Sequence, residues 1–283
     1  METTYFQNRG VTLHALAAGP RNGPVVVLLH GFPEFWYSWH KQIQPLAAAG
    51  FRVIVPDQRG YNESSKPRGV KSYALTELTS DVVAIADQLG RQRILLAGHD
   101  WGAAVAWSTA LLYPARVARL AILNVPHPSV LRKFLLTDRR QLRRSWYMFF
   151  FQIPFLPEMV FSANNFRWGI GPLVGSSRPG TFTEEDLARY RAAWSQRGAV
   201  SAMINWYRAA FRYRPSFPDR TVRLPTRILW GQGDAFLRFE MAEASLCYCT
   251  DGELIPFPNA THWLQHEEPG RVSQLLVDFF QGS

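Results

Sequence analysis

The sequence predicts an α/β fold: a mostly parallel central sheet flanked by helices and interrupted by a long helical insertion. Three observations predict it. Short runs that are apolar throughout, rather than alternating, recur between helical stretches up to about residue 126. Strands buried on both faces read that way, and helices between them are the crossovers of a parallel sheet. From about 128 to 222, amphipathic helices and Pro/Gly-rich connections replace the strands, and after 222 the strand–helix rhythm resumes.

Taken in order, "VVVLLH" (25–30) and "RVIVPD" (52–57) have strand length and continuous apolar character. "LTSDVVAIADQLG" (78–90) spaces its apolar residues as a helix does and closes on Gly, a C-terminal signal. "RILLAGHD" (93–100) is a strand, "WGAAVAWSTALLYP" (101–114) a helix stopped by Pro114, and "VARLAILNVP" (117–126) another buried strand. Within the insertion, "TFTEEDLARYRAAWSQRG" opens with a capping signature, and "AVSAMINWYRAAFRYRP" is helical until Pro215. "PTRILWGQGD" and "GELIPFPNATHW" are each a strand and loop, with the helix "MAEASLCYC" between them and "PGRVSQLLVDFFQ" as the closing helix. The predicted division is a core made of residues 1–127 and 223–283, with 128–222 inserted as a helical cap.

The 283 residues are 47% hydrophobic and 14% aromatic, which supports a large core and excludes a disordered chain. Ten Trp and nineteen Phe are enough to line an apolar pocket as well. The net charge of +9 comes mostly from scattered Arg, with one dense group between Arg132 and Arg144. That group reads as a solvated helix face, and no nucleic-acid motif accompanies it. Cys247 and Cys249 are too close for an unstrained disulfide and lack the partners of a zinc set, so reduced thiols of a cytoplasmic protein are expected. "METTYFQNRGVTLH" lacks the pattern of a signal peptide. The most apolar stretch, 146–161, is broken by Gln152, Pro154, Pro157 and Glu158, so no membrane span is expected.

The stretch "LLAGHDWGA" (95–103) carries the chemistry. A strand runs into Gly98-x-Asp100-x-Gly102 and out into a helix. Hydrolases with a G-x-S-x-G elbow hold a nucleophilic serine at that apex; here it is Asp100. An isolated Asp before a helix can be a simple N-cap, but two further residues argue otherwise. Asp234 follows one late strand and His262 the next, in the order nucleophile, acid, histidine. His30-Gly31 ends an early strand, where the backbone N–H of Phe32 would join that of Trp101 as an oxyanion hole.

A carboxylate can displace a leaving group at saturated carbon and form an alkyl ester. Water activated by His262, with Asp234 orienting the imidazole, would then cleave that ester. Epoxides and organohalides are the two substrate classes that fit. A halide leaves unprotonated. An epoxide leaves as a strongly basic alkoxide and wants a neutral acid, for which tyrosine is suited. The insertion offers Tyr147, Tyr190, Tyr207 and Tyr213, and spacing does not choose among them.

The motifs "HGFPEFWYSW", "GHDWGA", "NVPHP", "Y-x4-Q-x-P" (147–154) and "NWYR" (205–208) together resemble the soluble epoxide hydrolases of the α/β-hydrolase fold. The resemblance covers nearly the whole chain. It implies Asp100 as nucleophile, His262 as base, Asp234 as its partner, and Tyr147 with Tyr207 as the pair that protonates the epoxide oxygen. It implies no cofactor and no metal, and a small-molecule epoxide and water as the partners. The rival is a dehalogenase: the haloalkane type usually has Asn after His-Gly and Trp after the nucleophile, and this chain keeps Trp101 but has Phe32 for the Asn, while the fluoroacetate type usually has Arg where Trp101 stands. Asn124 is an amide where some relatives carry the triad acid, which favours Asp234, and Asp57 in "VPDQRG" reads as structural. A non-catalytic ligand binder is the third reading, disfavoured because all three triad residues are present. The expected pocket walls begin with Phe32, Phe35, Trp36 and Trp101 from the core. Phe149, Phe150 and Trp206 join from the cap, and Phe236, Leu237 and Trp263 from the last part of the chain. Such walls favour an apolar or aryl epoxide of moderate size.

Overall fold

The computed structural model describes residues 1–282. Its strands are β1 (Glu2–Asn8), β2 (Val11–Ala18), β3 (Val25–Leu29), β4 (Arg52–Pro56), β5 (Ile94–His99), β6 (Val117–Leu123), β7 (Thr226–Gly231) and β8 (Gly252–Phe257). They form one sheet in the order β1-β2-β4-β3-β5-β6-β7-β8. Pairing is parallel from β4 through β8, and only the contacts of β2 with β1 and β4 are antiparallel. Around the sheet lie α1 (His40–Ala48), α2 (Leu75–Gln88) and α3 (Trp101–Leu112). Between β6 and β7 come α4 (Pro128–Thr137), α5 (Arg139–Arg144), α6 (Trp146–Phe150), α7 (Leu156–Gly175), α8 (Glu184–Trp194) and α9 (Ala199–Arg212). The chain closes with α10 (Glu240–Leu246), α11 (Leu264–Glu267) and α12 (Pro269–Gln281).

β3 shows why the central strands read as unbroken apolar runs. All five of its residues are buried. Val25, Val27 and Leu29 join the core under α2 and α3, while Val26 and Leu28 join the core under α1 and α12. A strand covered on both faces has no position at which a polar side chain is cheap.

The expected elements are present, and the structure adds four that the apolar runs did not reveal: α1, β1, β2 and the single turn α11. β1 and β2 form a hairpin whose Asn8 pairs with Val11. Its two loop residues, Arg9 and Gly10, both have positive φ (47° and 82°). That is the turn which matches the twist of paired strands. β1 is half exposed at the sheet edge, so its pattern is polar and escapes a search for buried runs. In the insertion, α8 begins with the expected capping box: Thr183 accepts from the N–H of Asp186, and Asp186 returns a bond to the Thr183 N–H.

The strand order places the site. After β3 the chain moves to one side to form β4, then crosses back to form β5 on the other side. Loops leaving β3 and β5 therefore diverge and open a crevice at their C-terminal ends, where parallel sheets bind ligands. Phe32 and Asp100 follow those two strands. Both cysteines are free. Among the described residues, no helix is long and apolar enough to cross a membrane.

Candidate active site

Asp100 sits at the apex between β5 and α3 with φ 49° and ψ −123°, backbone that L side chains rarely adopt. The surrounding glycines are required by close approach. A Cβ on Gly98 would come 2.3 Å from the Gly102 carbonyl oxygen, and one on Gly102 would come 2.2 Å from that of Leu29. A Cβ on Gly31 would fall 2.3 Å from the Cβ of Asp100. The two loops thus touch, and the Phe32 N–H donates to Asp100 Oδ1 at 2.8 Å. Trp101 follows directly as the first residue of α3.

His262 lies between two carboxylates. Its Nε2 is 3.4 Å from Asp100 Oδ2, and its Nδ1 is 2.7 Å from Asp234 Oδ2. Asp234 is buried and well supplied with donors. Its Oδ1 accepts the N–H groups of Phe236 (2.7 Å) and Leu237 (2.9 Å), and its Oδ2 also accepts from Asn124 Nδ2 (2.7 Å). Asn124 in turn accepts the Gly231 N–H at 2.9 Å, so the amide after β6 braces the acid after β7. Asp57 is committed elsewhere, accepting from the Trp36 N–H and Asn62 and pairing with His14.

Burial opposes charge on His262, yet the negative Asp234 and hydrogen bonds to Asp100 and Asp234 outweigh it and push the imidazole up to about 10. Burial likewise opposes ionisation of Asp100, and the hydrogen bond and charge of His262 overcome it, holding the carboxyl below its usual range. The free site is therefore an imidazolium flanked by two carboxylates.

A cavity of about 490 Å³ opens over Asp100 and His262. Tyr147 and Tyr207 line it, their ring centroids 5.9 Å apart. Burial, followed by the nearby Asp100 charge, raises the Tyr147 phenol above its ordinary value; burial and then Tyr147 and Asp100 do the same for Tyr207. Both stay protonated at neutral pH. The other two tyrosines are placed differently. Tyr190 donates to Glu34 Oε1 at 2.8 Å, and Tyr213 is exposed.

Phe32, Phe236 and Trp263 line the cavity as expected, joined by Phe151, Phe161 and Trp168. Seven expected walls do not. Tyr147 and Phe151, four apart, share the cavity face of α6 and its end; Phe149 and Phe150 turn away, Phe149 packing on Phe211. Trp206 precedes Tyr207 on α9 and points beneath it, donating to the Arg59 carbonyl at 3.1 Å. Leu237 is buried in the core, with its N–H on Asp234. Phe35 packs against Tyr190, and Trp36 packs on Phe35 and Tyr37. Trp101 is also outside the lining set, its ring stacked edge-on against Tyr207 at 4.9 Å. Among the described residues, no group of His, Cys, Asp and Glu is placed to hold a metal ion.

This architecture and site have relatives. A profile of the α/β-hydrolase fold matches residues 24–269. Human epoxide hydrolase 4 is 40% identical over 98% of this chain and 77% of its own length. Epoxide hydrolase A of Mycobacterium tuberculosis is 32% identical, over 96% and 95%. The crystal structure of an epoxide hydrolase from Bacillus megaterium with an inhibitor superposes with a TM-score of 0.89 at 30% identity, over 98% of this chain and 100% of that one. The chain belongs to the epoxide hydrolase family of the α/β-hydrolase fold. It is an enzyme of the hydrolase class.

In this epoxide hydrolase family member, a buried network behind Asp100, Asp234 and His262 escaped sequence reasoning. Glu34 is fully buried, accepts from Tyr190 and Gln265 (3.3 Å), and meets His266 Nε2 (2.7 Å) and His99 Nδ1 (3.2 Å). Burial opposes its charge, but His266 and His99 hold its carboxyl far below the ordinary range. His99 Nε2 meets the His262 carbonyl at 2.8 Å, so the network grips the backbone of His262. The available signal was the polar content of "HGFPEF" and "HWLQHE" beside buried strands. Glu34→Ala is expected to lower stability by about 3–5 kcal/mol, because it leaves several polar groups buried without their charge partner. A denaturant midpoint shifted by under about 1 kcal/mol would contradict this.

Proposed function

We propose that this chain hydrolyses an apolar or aryl epoxide to a vicinal diol through an alkyl ester on Asp100. The observation that carries the reading is the division of labour within one carboxylate beneath two cavity tyrosines. Asp100 Oδ1 is held by the Phe32 N–H, while Oδ2 is left toward His262 and the cavity. Oδ2 attacks a ring carbon and the ring C–O bond breaks. The alkoxide takes a proton from Tyr147 or Tyr207, both of which burial keeps protonated until ring opening.

The phenolate regains its proton from the His262 imidazolium. Esterification has removed the Asp100 charge that helped hold that proton, so His262 now becomes a base. It deprotonates a water, which attacks Asp100 Cγ. Negative charge forms on Oδ1, where the Phe32 and Trp101 N–H groups hold it. The intermediate collapses, and the departing alkoxide takes the hydroxyl proton left on Cγ. Asp100 is again a carboxylate and His262 an imidazolium. The largely apolar cavity supports an apolar or aryl substrate.

His262→Gln tests this. It is expected to form the ester but to hydrolyse it about 10³-fold more slowly. Intact-protein mass after incubation with an aryl epoxide is expected to rise by one whole epoxide, mapped to the Asp100 peptide. An adduct from a haloalkane or fluoroacetate alone, with halide released, would establish a dehalogenase instead.

A further inference from the structure

We propose that the helical insertion docks the protein onto anionic lipid bilayers through the surface beside the cavity mouth. The first observation is where the charge lies. Residues 128–222 hold fifteen of the 31 Lys and Arg but only six of the 22 Asp and Glu. The insertion therefore carries the whole net charge of +9, and the remainder of the chain is neutral.

The second observation is where the exposed apolar side chains lie. Eight of the twelve large apolar residues exposed among the described residues fall between Leu136 and Met159. Phe155 is 79% exposed and Met159 68%. Phe155 stands at φ 61°, between Pro154 and Pro157, where bulky residues are rarely found. This projects an aromatic ring from a stiff turn with nothing packed over it.

The cations interleave with these residues. Among the described residues, no carboxylate is within ion-pair distance of Arg132, Lys133, Arg139, Arg140 or Arg143, while Asp138 and Glu158 are taken by Arg238 and Arg208. Arg143, Arg144 and Trp146 also line the cavity, so the patch reaches its mouth.

Free cations mixed with aliphatic and aromatic side chains match an anionic interface, where headgroups take the charge and acyl chains take the rings. A second copy joined by a two-fold axis would set the same cations against one another. A nucleic acid would leave Leu136 and Met159 without a role. Such docking would put the mouth at the phase where apolar epoxides accumulate, a consequence that rests on the function proposed above; the docking itself does not.

The test is flotation of the full chain with vesicles. Binding is expected to vesicles of equal parts phosphatidylcholine and phosphatidylglycerol, to fall steeply with added salt, and to be absent with phosphatidylcholine alone. Arg139→Glu with Arg140→Glu is expected to weaken binding at least about 25-fold, near fivefold for each cation. Phe155→Asp with Met159→Asp is expected to weaken it as well. Both pairs lie outside the site, so unchanged thermal unfolding and epoxide turnover in solution will show that the variants fold. No flotation of the unaltered chain, flotation insensitive to salt, or well-folded variants that bind as before would overturn the proposal. So would a dimer in solution that the same substitutions dissolve. Activity plays no part in the flotation readout, so failure here and failure of the proposed reaction are separable.

Discussion

Asp100→Ala is expected to abolish epoxide turnover, lowering kcat by about 10⁴-fold or more, as losses of a covalent nucleophile do. The size of the effect follows from how the residue is held. Among the described residues, no other carboxylate reaches the cavity with one oxygen bonded to a backbone N–H and the other near His262. Asp234 is enclosed by Phe236, Leu237 and Asn124 and cannot substitute. Steady-state diol formation measures the loss, and a residual rate within tenfold of the unaltered protein would remove Asp100 from the mechanism.

The same variant makes a second prediction about charge. His262 holds its proton up to about pH 10, above its ordinary 6.5. Its ion pairs therefore stabilise the fold fully below pH 6.5, and that contribution fades as pH rises through about 10. Without the Asp100 carboxylate, one of the two flanking charges is gone. The imidazole is expected to titrate at lower pH in the variant, as NMR of His262 would record. An unchanged titration would mean that Asp234 alone sets the proton affinity.

The paired change Tyr147→Phe and Tyr207→Phe is expected to leave the protein almost inactive, with each single change costing about 10²-fold or somewhat more in ring opening. The singles leave one phenol to protonate the oxygen; the double leaves none. Their rings meet edge-on with centroids 5.9 Å apart, and both line the cavity that holds Asp100, as a pair serving one epoxide oxygen is expected to. Loss of both hydroxyls leaves ring opening to expel a bare alkoxide. Single-turnover formation of the ester separates this step from hydrolysis. A double variant that forms ester at the native rate would reduce the tyrosines to packing.

Much of this was legible in the chain because the constraints are local. The elbow needs a glycine two residues either side of Asp100, since a Cβ at Gly98 or Gly102 would strike backbone. Asp234 follows the buried strand β7 and His262 the edge strand β8, and both strands were marked by short stretches of strand character. The capping box of α8 is a four-residue pattern. What escaped was either polar or dispersed. β1 and β2 lie toward the sheet edge, and β1 has no buried run to find. The Glu34 network assembles residues from 34, 99, 190, 265 and 266, and no spacing marks them as partners.

The chain by itself determined the fold class, the glycine-bracketed turn at Asp100 and the order of Asp100, Asp234 and His262, since each rests on neighbours in sequence and on strand ends. Only tertiary structure decided which side chains face the cavity. Successive helical residues differ by about 100° in direction. Tyr207 therefore enters the site while Trp206 props it from below, and Tyr147 and Phe151 enter while Phe149 meets solvent. Composition marks all of these as aromatic, but only the packing of α6 on α5 and of α9 on α7 and α8 sets the rotation that turns each toward or away from the cavity.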